Sequence, residues 1–337
     1  MKRNLWIGTI LSLIVLCLAP GSAPAQGLAE ELEPVLVGGR YRVEGDKGNR
    51  LARSGFGFLK LSASARLAGM ADANVGTSKD IHTIFLNPAG LVHVDKAAYV
   101  ASYNQWLVET WLGSAGVAYR TGFGVWGVTL RTFQYPDVEV TTPLQPNGTG
   151  ENLDIGAMSI GLSFAKQMTD KFSMGFKLRW AREKLHVTEV TGTTLDIGTL
   201  FNTGFKSLRL GLTMNNLGKN LETLTEDYRL PFYYDMAIAM ELFGEVGDPL
   251  YLTGAYEHLF YRDFGERDHL GGELWINNTL ALRAGYKFRY HIETWSLGAG
   301  LKFSPTEGRN FGVDVSYSKI TGILDEAPIR LTFSGSF

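Results

Sequence analysis

The chain has 337 residues, of which 40 are glycine, 12% are aromatic and 20% are charged, and its formal net charge is −2. This near-neutral balance excludes a nucleic-acid binder that depends on a strongly basic surface. The 45% apolar content excludes a chain too polar to bury a core. A single cysteine excludes an internal disulfide and a thiolate metal cluster.

The first 25 residues have the parts of a secretory signal peptide. Lys2 and Arg3 precede an apolar run over residues 5–19, and Ala23-Pro24-Ala25 supplies small residues for cleavage after Ala25. The run is shorter than the roughly 20 apolar residues that cross a bilayer, which argues against a membrane helix. We therefore predict export through a cleaved signal peptide at residues 1–25.

Residues 26–96 lack the pattern of a strand. The small-residue stretch Ser62–Met70 predicts a helical turn or two. The segment 85–91 predicts a turn, because an Asn before Pro is kept out of helical geometry and a Gly permits a sharp exit. Since this region is apolar but too short for a core of its own, we predict a lead-in followed by a plug inside a barrel. A periplasmic lead-in packed beneath the barrel is the alternative.

From residue 97 to the end, apolar residues recur at every second position. Leu280, Leu282 and Ala284, for example, alternate with Ala281 and Arg283. Successive strand residues point to opposite faces, so each such segment has an apolar face and a polar face. Fourteen segments show the pattern: 97–104, 114–120, 124–135, 153–166, 172–183, 194–203, 208–217, 232–243, 249–258, 269–276, 279–288, 295–303, 311–319 and 328–337.

The gaps between these segments are alternately long and short, with one exception. Outer-membrane barrels show this asymmetry, because their periplasmic turns are short and their outward loops are long. A soluble β-sandwich would also alternate, but its strands average roughly 5–6 residues and its loops need not alternate. We therefore predict an all-β fold: a 14-stranded antiparallel transmembrane β-barrel over residues 97–337, with a short N-terminal plug, in the bacterial outer membrane.

The last segment carries a further indication of membrane insertion. Phe333 and Phe337 lie on its apolar face, and the chain ends on Phe337. A C-terminal strand that ends in Phe resembles the signal by which the barrel-assembly machinery recognises its clients. We therefore assign Phe333 and Phe337 as an insertion signal.

Two short motifs in the plug region resemble a known family. The segments Ala65-Arg66-Leu67-Ala68-Gly69-Met70-Ala71-Asp72-Ala73 and Phe85-Leu86-Asn87-Pro88-Ala89-Gly90-Leu91 look like the opening of the PorV/PorQ family, which belongs with the FadL-like outer-membrane transport proteins. The resemblance marks these residues as family or plug residues: Arg66, Gly69, Met70, Asn87, Pro88, Ala89 and Gly90. The chain departs from the family at Ala71, where Gly is more common, and at His82-Thr83, where small residues are usual.

Searches for enzymatic and metal-binding motifs give nothing. The sequence has no Gly-x-Ser-x-Gly elbow, Walker loop or His-Glu-x-x-His motif. Its six His residues, at positions 82, 93, 186, 258, 269 and 291, lack metal-site spacing and are predicted to lie in loops or at the rim. His258 and His269 flank one outer loop, but no Ser is placed to complete a triad. We therefore predict a protein that is not an enzyme and uses neither cofactor nor metal.

Charged residues fall on the predicted lumen face of many strands. They could line a polar channel, or they could be paired scaffolding that fills the barrel and holds the plug. Mixed signs without a single-sign ring favour the scaffold. The residues are Arg131, Lys177, Arg179, Arg209, Asp235, Arg283, Lys287 and Asp314, with Asp196, Glu241, Glu273, Lys302 and Arg330.

The resemblance implies two functions. The first is an accessory of a type IX secretion system, which receives exported proteins at the outer membrane. The second is a FadL-like passive channel for hydrophobic molecules such as long-chain fatty acids. A third possibility is a purely structural barrel. The absence of a mid-strand Pro argues against the wall break that a lateral channel needs. Expected partners are outer-membrane lipid, the barrel-assembly machinery and either secretion components or hydrophobic ligands, with no nucleic acid, around a monomeric barrel.

Overall fold

The computed structural model describes residues 54–76, 79–186, 188–222, 227–262, 265–290, 293–306, 308–320 and 327–337. The predicted signal peptide and residues 26–53 of the predicted lead-in lie outside these ranges. None of the helices within them is long and apolar enough to cross a bilayer.

Fourteen antiparallel strands close into one barrel, which confirms the predicted fold class and strand number. Each barrel strand pairs with the next barrel strand in the chain, β7 pairs with β10, and β1 pairs with β16 to close the wall. In chain order the strands are β1 (Ala97–Gln105), β2 (Trp111–Arg120), β3 (Val125–Gln134), β4 (Ile155–Gln167), β5 (Phe172–Leu185), β6 (Thr188–Asn202), β7 (Arg209–Leu217), β8 (Leu221–Glu222), β9 (Asp227–Tyr228), β10 (Tyr233–Phe243), β11 (Leu250–Tyr261), β12 (Glu266–Ile276), β13 (Leu280–Phe288), β14 (Glu293–Thr306), β15 (Arg309–Ile320) and β16 (Ile329–Ser336). β8 and β9 form a separate two-stranded hairpin in an outer loop, which the sequence analysis missed.

The two faces of the wall differ as the alternation predicts. Outward side chains are apolar and exposed, such as Leu162 at 50% and Leu178 at 55%. Inward side chains between them are small or polar and buried, such as Ser163 and Lys177. Because an apolar outer band with a polar interior is typical of membrane barrels, the exposed apolar surface is explained by contact with lipid.

Aromatic pairs lie near both ends of the wall. Phe337 stacks on Tyr99 with ring centroids 6.1 Å apart, beside the seam between β1 and β16. At the opposite end, Tyr103 lies 5.7 Å from Trp111. Aromatic girdles of this kind mark the two membrane interfaces of such barrels. Short turns follow β2, β4 and β12 at the end that holds Phe337, so that end is periplasmic.

The register of the wall shifts between β10 and β11, between β14 and β15, and between β6 and β7. The shift between β6 and β7 lies next to the outer end of the lumen. The register shifts there, with an extra residue on β7, and Asn216 adopts a φ of 60°. Beyond this bulge, residues 188–194 of β6 pair only with β5 in the sheet. Leu221 and Leu230, in the connection after β7, are buried beside this part of the wall, where a Cβ added at Gly192 of β6 would meet the Leu221 side chain. The wall remains closed here, in keeping with the lack of a mid-strand Pro, although a bulge can bend a strand without Pro.

The N-terminal residues 54–76 and 79–96 lie inside the barrel and are called the plug below. The plug contains one short α-helix, α1 (Ala65–Gly69), and three 3-10 turns at Gly57–Lys60, Ile81–Phe85 and Pro88–His93. Its first part packs near the outer end, where Phe56 joins a cluster with Phe133 of β3. Its last part packs near the periplasmic end, where Val94 joins a cluster with Val125. The plug therefore runs the length of the lumen before β1 begins.

Candidate functional site

The candidate site is the filled lumen, where plug and wall meet. α1 begins at Ser64, whose hydroxyl accepts a hydrogen bond from the Leu67 amide at 3.4 Å. The Ala65 amide donates to the Thr332 hydroxyl of β16 at 2.8 Å. Gly69 lies so close to the wall that an added Cβ would meet the Gly298 backbone at 3.1 Å. A glycine at position 69 of the family motif is therefore what lets the helix touch β14.

Arg66 fastens α1 to the wall through a buried ion network. Its guanidinium donates to both oxygens of Glu273 at 2.9 and 3.1 Å, and it also pairs with Asp80. Glu273 accepts from Arg283 at 2.6 Å, and Arg283 donates to Asp314 at 2.6 Å. Two-point contacts between guanidinium and carboxylate are the stronger kind of hydrogen bond. The network joins the plug to β12, β13 and β15.

The turn after α1 explains one departure from the family. Ala71 and Asp72 have φ values of 53° and 62°, in the left-handed region that favours glycine. The Asp72 carboxylate accepts from Ser62 at 2.5 Å and pairs with Lys287 of β13 at 2.8 Å. Burial alone would raise the pKa of Asp72, but the Lys287 ammonium and the Ser62 hydroxyl lower it to about 2. The Gly that is more common in the family suits a positive φ at position 71. In this chain Ala71 adopts the positive φ, and the ion pair with Lys287 holds the following residue, Asp72.

The second motif is held by the side chain of Asn87. Its amide nitrogen donates to the backbone oxygens of Val75 at 3.1 Å and of Thr199 at 3.0 Å. Its oxygen accepts from the Ala89 amide at 3.0 Å and so caps the 3-10 turn that begins at Pro88. Asn87 thus joins two parts of the plug to β6.

The wall facing this motif is built from glycine. An added Cβ at Gly175 of β5 would lie 2.5 Å from the Ala89 amide nitrogen, and one at Gly198 would collide with the Asn87 side chain. Gly90, the last residue of the motif, faces the Thr83 side chain just as closely. All seven residues singled out by the resemblance are therefore buried, six of them at the contact between plug and wall and Gly90 against Thr83 within the plug.

The lumen charges predicted from the sequence lie buried inside the barrel, with Lys302 exposed at its periplasmic end. Four of the wall cations contact the plug directly. Arg131 donates to the carbonyl oxygens of Phe58, Leu59 and Leu61 at 2.7–3.2 Å. Lys177 donates to the Phe85 carbonyl at 3.3 Å, Arg209 donates to the Gly76 carbonyl at 3.2 Å, and Lys287 pairs with Asp72.

Other charges pair within the wall. Asp196 accepts from Arg179 at 2.6 Å and pairs with Lys177 at 3.1 Å. Arg209 makes a two-point contact with Glu241 at 2.9 and 3.0 Å. Arg330 pairs with Glu293 at 3.2 Å. This arrangement fits paired scaffolding that holds a plug better than it fits the open lining of a polar channel.

One lumen residue was missed by sequence reasoning. Glu257 of β11 is buried at 2% exposure, and its carboxylate accepts from the Val75 amide. The predicted segment stopped at residue 258, so its weak alternation did not separate the two faces. In β11, Thr253, Ala255, Glu257 and Leu259 are alternate residues on the buried face. A segment extended to Leu259 would have shown this alternation and placed Glu257 in the lumen.

Two of the histidines were placed wrongly. His82 and His269 are each 2% exposed, so neither lies at a rim. His82 bonds to the Ser64 hydroxyl at 3.1 Å, and burial lowers its pKa to about 4 although the Asp314 carboxylate opposes the shift. Burial likewise lowers the pKa of His93 to about 4. Among the residues that the structure describes, no group of three or more His, Cys, Asp or Glu is placed to hold a metal ion.

Among the described residues, two of the cavities lie beside the plug. The first, of about 310 Å³, lies near the periplasmic end and is lined by Lys79, His93 and Glu241 among others. The second, of about 360 Å³, lies on the outer side of α1 between Leu61 and Tyr233 and is called the outer cavity below. Both volumes fall near the lower end of the range for small-molecule pockets, roughly 300–1,000 Å³.

Solved structures with a similar fold are outer-membrane channels. The Pseudomonas putida toluene transporter TodX matches with a TM-score of 0.56 and 11% identity, and the CymD monoaromatic hydrocarbon channel with 0.55 and 13%. A Pseudomonas aeruginosa FadL homologue matches with 0.52 and 12%. Each match covers 82% of this chain and 98% of the other. At this level of identity, the likeness shows the fold.

The sequence itself matches a family model. Residues 44–205 match the model described as "Type IX secretion system protein PorV". No curated protein matches the chain. The matched segment contains the whole described plug, with both motifs, and strands β1 to β6. The match covers just under half of the 337 residues, so over residues 44–205 the chain is similar to the PorV family of outer-membrane β-barrels, and its fold is like that of the outer-membrane channels above.

Proposed function

We propose that the chain is an accessory of a type IX secretion system, exported by its signal peptide and assembled in the outer membrane. There it receives exported proteins on its outer loops and performs no enzymatic step. The observation that carries the proposal is the PorV match over residues 44–205, the segment that includes the plug. A barrel whose lumen is filled by a fastened plug suits a docking platform better than an open pore.

The outer loop at residues 135–154 is the strongest candidate surface for such docking. It is an ordered projection, because the Val140 amide donates to the Glu151 carbonyl at 2.7 Å and the Leu153 amide to the Val138 carbonyl at 2.7 Å. Leu144 near its tip is 94% exposed, and Val138 is 43% exposed. Exposed apolar side chains on an ordered loop are suited to protein contacts.

The experiment is a gene deletion followed by complementation. We expect loss of the gene to retain exported surface proteins in the periplasm, and wild-type protein to restore their release. A Leu144→Asp variant should restore release poorly while reaching the outer membrane in normal amount. The matched control is Val246→Asp, since Val246 is equally apolar and 57% exposed, but in a periplasmic turn. Normal release in the deletion strain would refute the proposal.

The outer cavity favours a second candidate, a FadL-like passive channel for hydrophobic molecules. Leu59, Leu61 and Leu259 line it, and it lies near the bulge between β6 and β7. The same deletion strain tests this candidate through uptake of long-chain fatty acids. A Leu86→Trp variant, which would narrow the cavity, should then impair uptake and leave protein release intact. Normal secretion with impaired uptake would reverse the ranking of the two functions.

A further inference from the structure

The outer cavity contains two carboxyl groups that have no cationic partner. Asp235 of β10 and Glu257 of β11 are each 2% exposed, and both line the cavity. Neither forms an ion pair with any residue in the part of the chain that the structure describes. A buried carboxylate without a counter-charge is costly, so such groups take up a proton or a cation.

Asp235 also has an unused acceptor. One of its oxygens accepts from the Thr213 hydroxyl at 3.0 Å. The other, Oδ1, is buried and has no hydrogen-bond partner among the described residues. Because buried polar atoms in native structures are nearly always bonded, this oxygen indicates a place for a donor that the protein does not supply.

A neighbouring arc of the wall has the opposite imbalance. Two cations, Lys177 and Arg179, share the single carboxylate of Asp196. Arg131 has no ion pair among the described residues, its two terminal nitrogens bind only carbonyl oxygens, and its Nε is buried without a partner. Arg131 and Arg179 line the same cavity as the two carboxyl groups. Among the described residues, the cavity is therefore lined by two carboxyl groups without a cationic partner and by a cation, Arg131, without a carboxylate partner.

The lining also includes apolar and aromatic side chains, alongside further charged groups such as Asp72, Arg267 and Lys287. Leu59, Leu61 and Leu259 contribute aliphatic surface, and Trp106 and Tyr233 contribute rings. Lys60, Trp106 and Tyr290 at the outer rim are only half-buried, which places the rim toward the outside. This lining is complementary to a small molecule that carries a positive group, a negative group and an apolar body.

We propose that the outer cavity binds a small zwitterion with an apolar body, such as an amino acid with an apolar side chain. Its ammonium group would donate to Asp235 Oδ1 beside Glu257, and its carboxylate would face Arg131. The apolar body would lie against Leu59 and Leu259. This inference is independent of the proposed secretion function, because it concerns the lumen and not the loops.

The test is calorimetric titration of the full-length mature protein in lipid nanodiscs with three probes that share a phenyl body. L-Phenylalanine carries both charges, 2-phenylethylamine carries only the ammonium group, and 3-phenylpropionate carries only the carboxylate. Hydrogen bonds to charged groups are worth enough to change affinity about ten-fold or more. We therefore expect phenylalanine to bind about ten-fold more tightly than either single-charge probe.

Variants assign the contacts. Asp235→Asn should weaken phenylalanine binding about ten-fold and leave the affinity for 3-phenylpropionate unchanged. Among the described residues the Asp235 carboxylate bonds only to Thr213, so this variant should fold. Glu257→Gln, which keeps an acceptor for the Val75 amide, is a second variant of the same kind. Glu241→Gln is the control, since Glu241 is a buried lumen carboxylate that does not line this cavity.

Three results would overturn the inference. They are a failure of all three probes to bind, equal binding of 3-phenylpropionate and phenylalanine, and an Asp235→Asn variant with wild-type affinity for phenylalanine. None of these results bears on secretion by the deletion strain, so failure of this inference and failure of the proposed function are distinguishable.

Discussion

Replacing Arg66 by leucine should release the plug from the wall without unfolding the barrel. The Arg66 side chain is 9% exposed and Glu273 5%, so their two hydrogen bonds are shielded from water. Breaking a buried ion pair costs about 3–5 kcal/mol. Because Glu273 keeps Arg283 as a partner, we expect the lower end of this range, about 3 kcal/mol. That corresponds to about a hundred-fold change in the ratio of docked to undocked plug.

Hydrogen exchange of backbone amides in a nanodisc measures this ratio directly. The Ala65 and Ala71 amides report docking, because they donate to the hydroxyls of Thr332 and Ser296 in the wall. Their exchange should accelerate about a hundred-fold in Arg66→Leu while amides within the strands keep their protection. The matched control is Arg182→Leu, which removes an ion pair to Glu189 whose partners are 38% and 43% exposed. An exposed pair of this kind should cost under about 1 kcal/mol.

A double-mutant cycle separates this contact from a general loss of packing. Glu273→Leu alone should be at least as damaging as Arg66→Leu, because it leaves two buried cations with one carboxylate fewer. The double variant should be less damaging than the sum of the two, by about 1–3 kcal/mol. Unchanged exchange of the Ala65 amide in Arg66→Leu, or strictly additive effects, would refute the assignment of Arg66 as the fastener of the plug.

Three further changes test the plug and the seam. The depressed pKa of His82, about 4 against a normal 6.5, means that the undocked plug binds more protons between these values. Through His82, plug docking should therefore weaken by up to about 3 kcal/mol as the pH falls from 6.5 to 4, measured by the same exchange of plug amides. His82→Gln should remove this contribution and leave that of His93, whose pKa is lowered in the same way. Gly175→Ala should displace the plug, at a cost of about 1–3 kcal/mol in docking free energy. The control is Gly156→Ala in the adjacent strand, because its added Cβ would meet atoms at ordinary distances of 3.5–3.7 Å. This control should leave the hydrogen exchange of the plug amides unchanged. Phe337→Ala should reduce the amount of heat-modifiable barrel in the outer membrane, because Phe337 packs on Tyr99 at the seam. The control is Ile329→Ala, a lipid-facing change at the other end of β16. Equal assembly of the two variants would contradict a role for the last residue.

The barrel could be predicted from the sequence because lipid and lumen select opposite side chains on alternate residues. The segment 172–183, for example, shows Phe176 and Leu178 outward and Lys177 and Arg179 inward, as β5 does. The periodicity of two depends only on local strand geometry, so it needs no knowledge of neighbouring strands. The bulge at Asn216 escaped prediction because an extra residue between two strands is a property of their pairing.

The pairing of the lumen charges could not be predicted for the same reason. Lys177, Arg179 and Asp196 were each placed on the lumen face, but their grouping depends on the register between β5 and β6. The contact between Arg66 and Glu273 joins residues 207 positions apart and depends on where the plug lies in depth. The motif residues themselves, such as Asn87, were found through the family resemblance. Their structural role could be seen only in the folded protein, where the Asn87 side chain donates to the Thr199 carbonyl.

The path of the plug through the lumen restricts how the molecule can be assembled. Residues 54–61 lie under the outer mouth, whereas residue 96 lies beside the periplasmic start of β1, so the polypeptide is already threaded along the cylinder axis before the wall begins. The seam between β1 and β16 joins the start of the wall to the last strand synthesised. If the strands of that seam pair last, the sheet can close around a plug that Arg131 and Lys177 already hold. The plug then never has to enter a finished barrel through either end. The topology thus indicates an order of assembly in which the plug is placed first and the wall then closes around it.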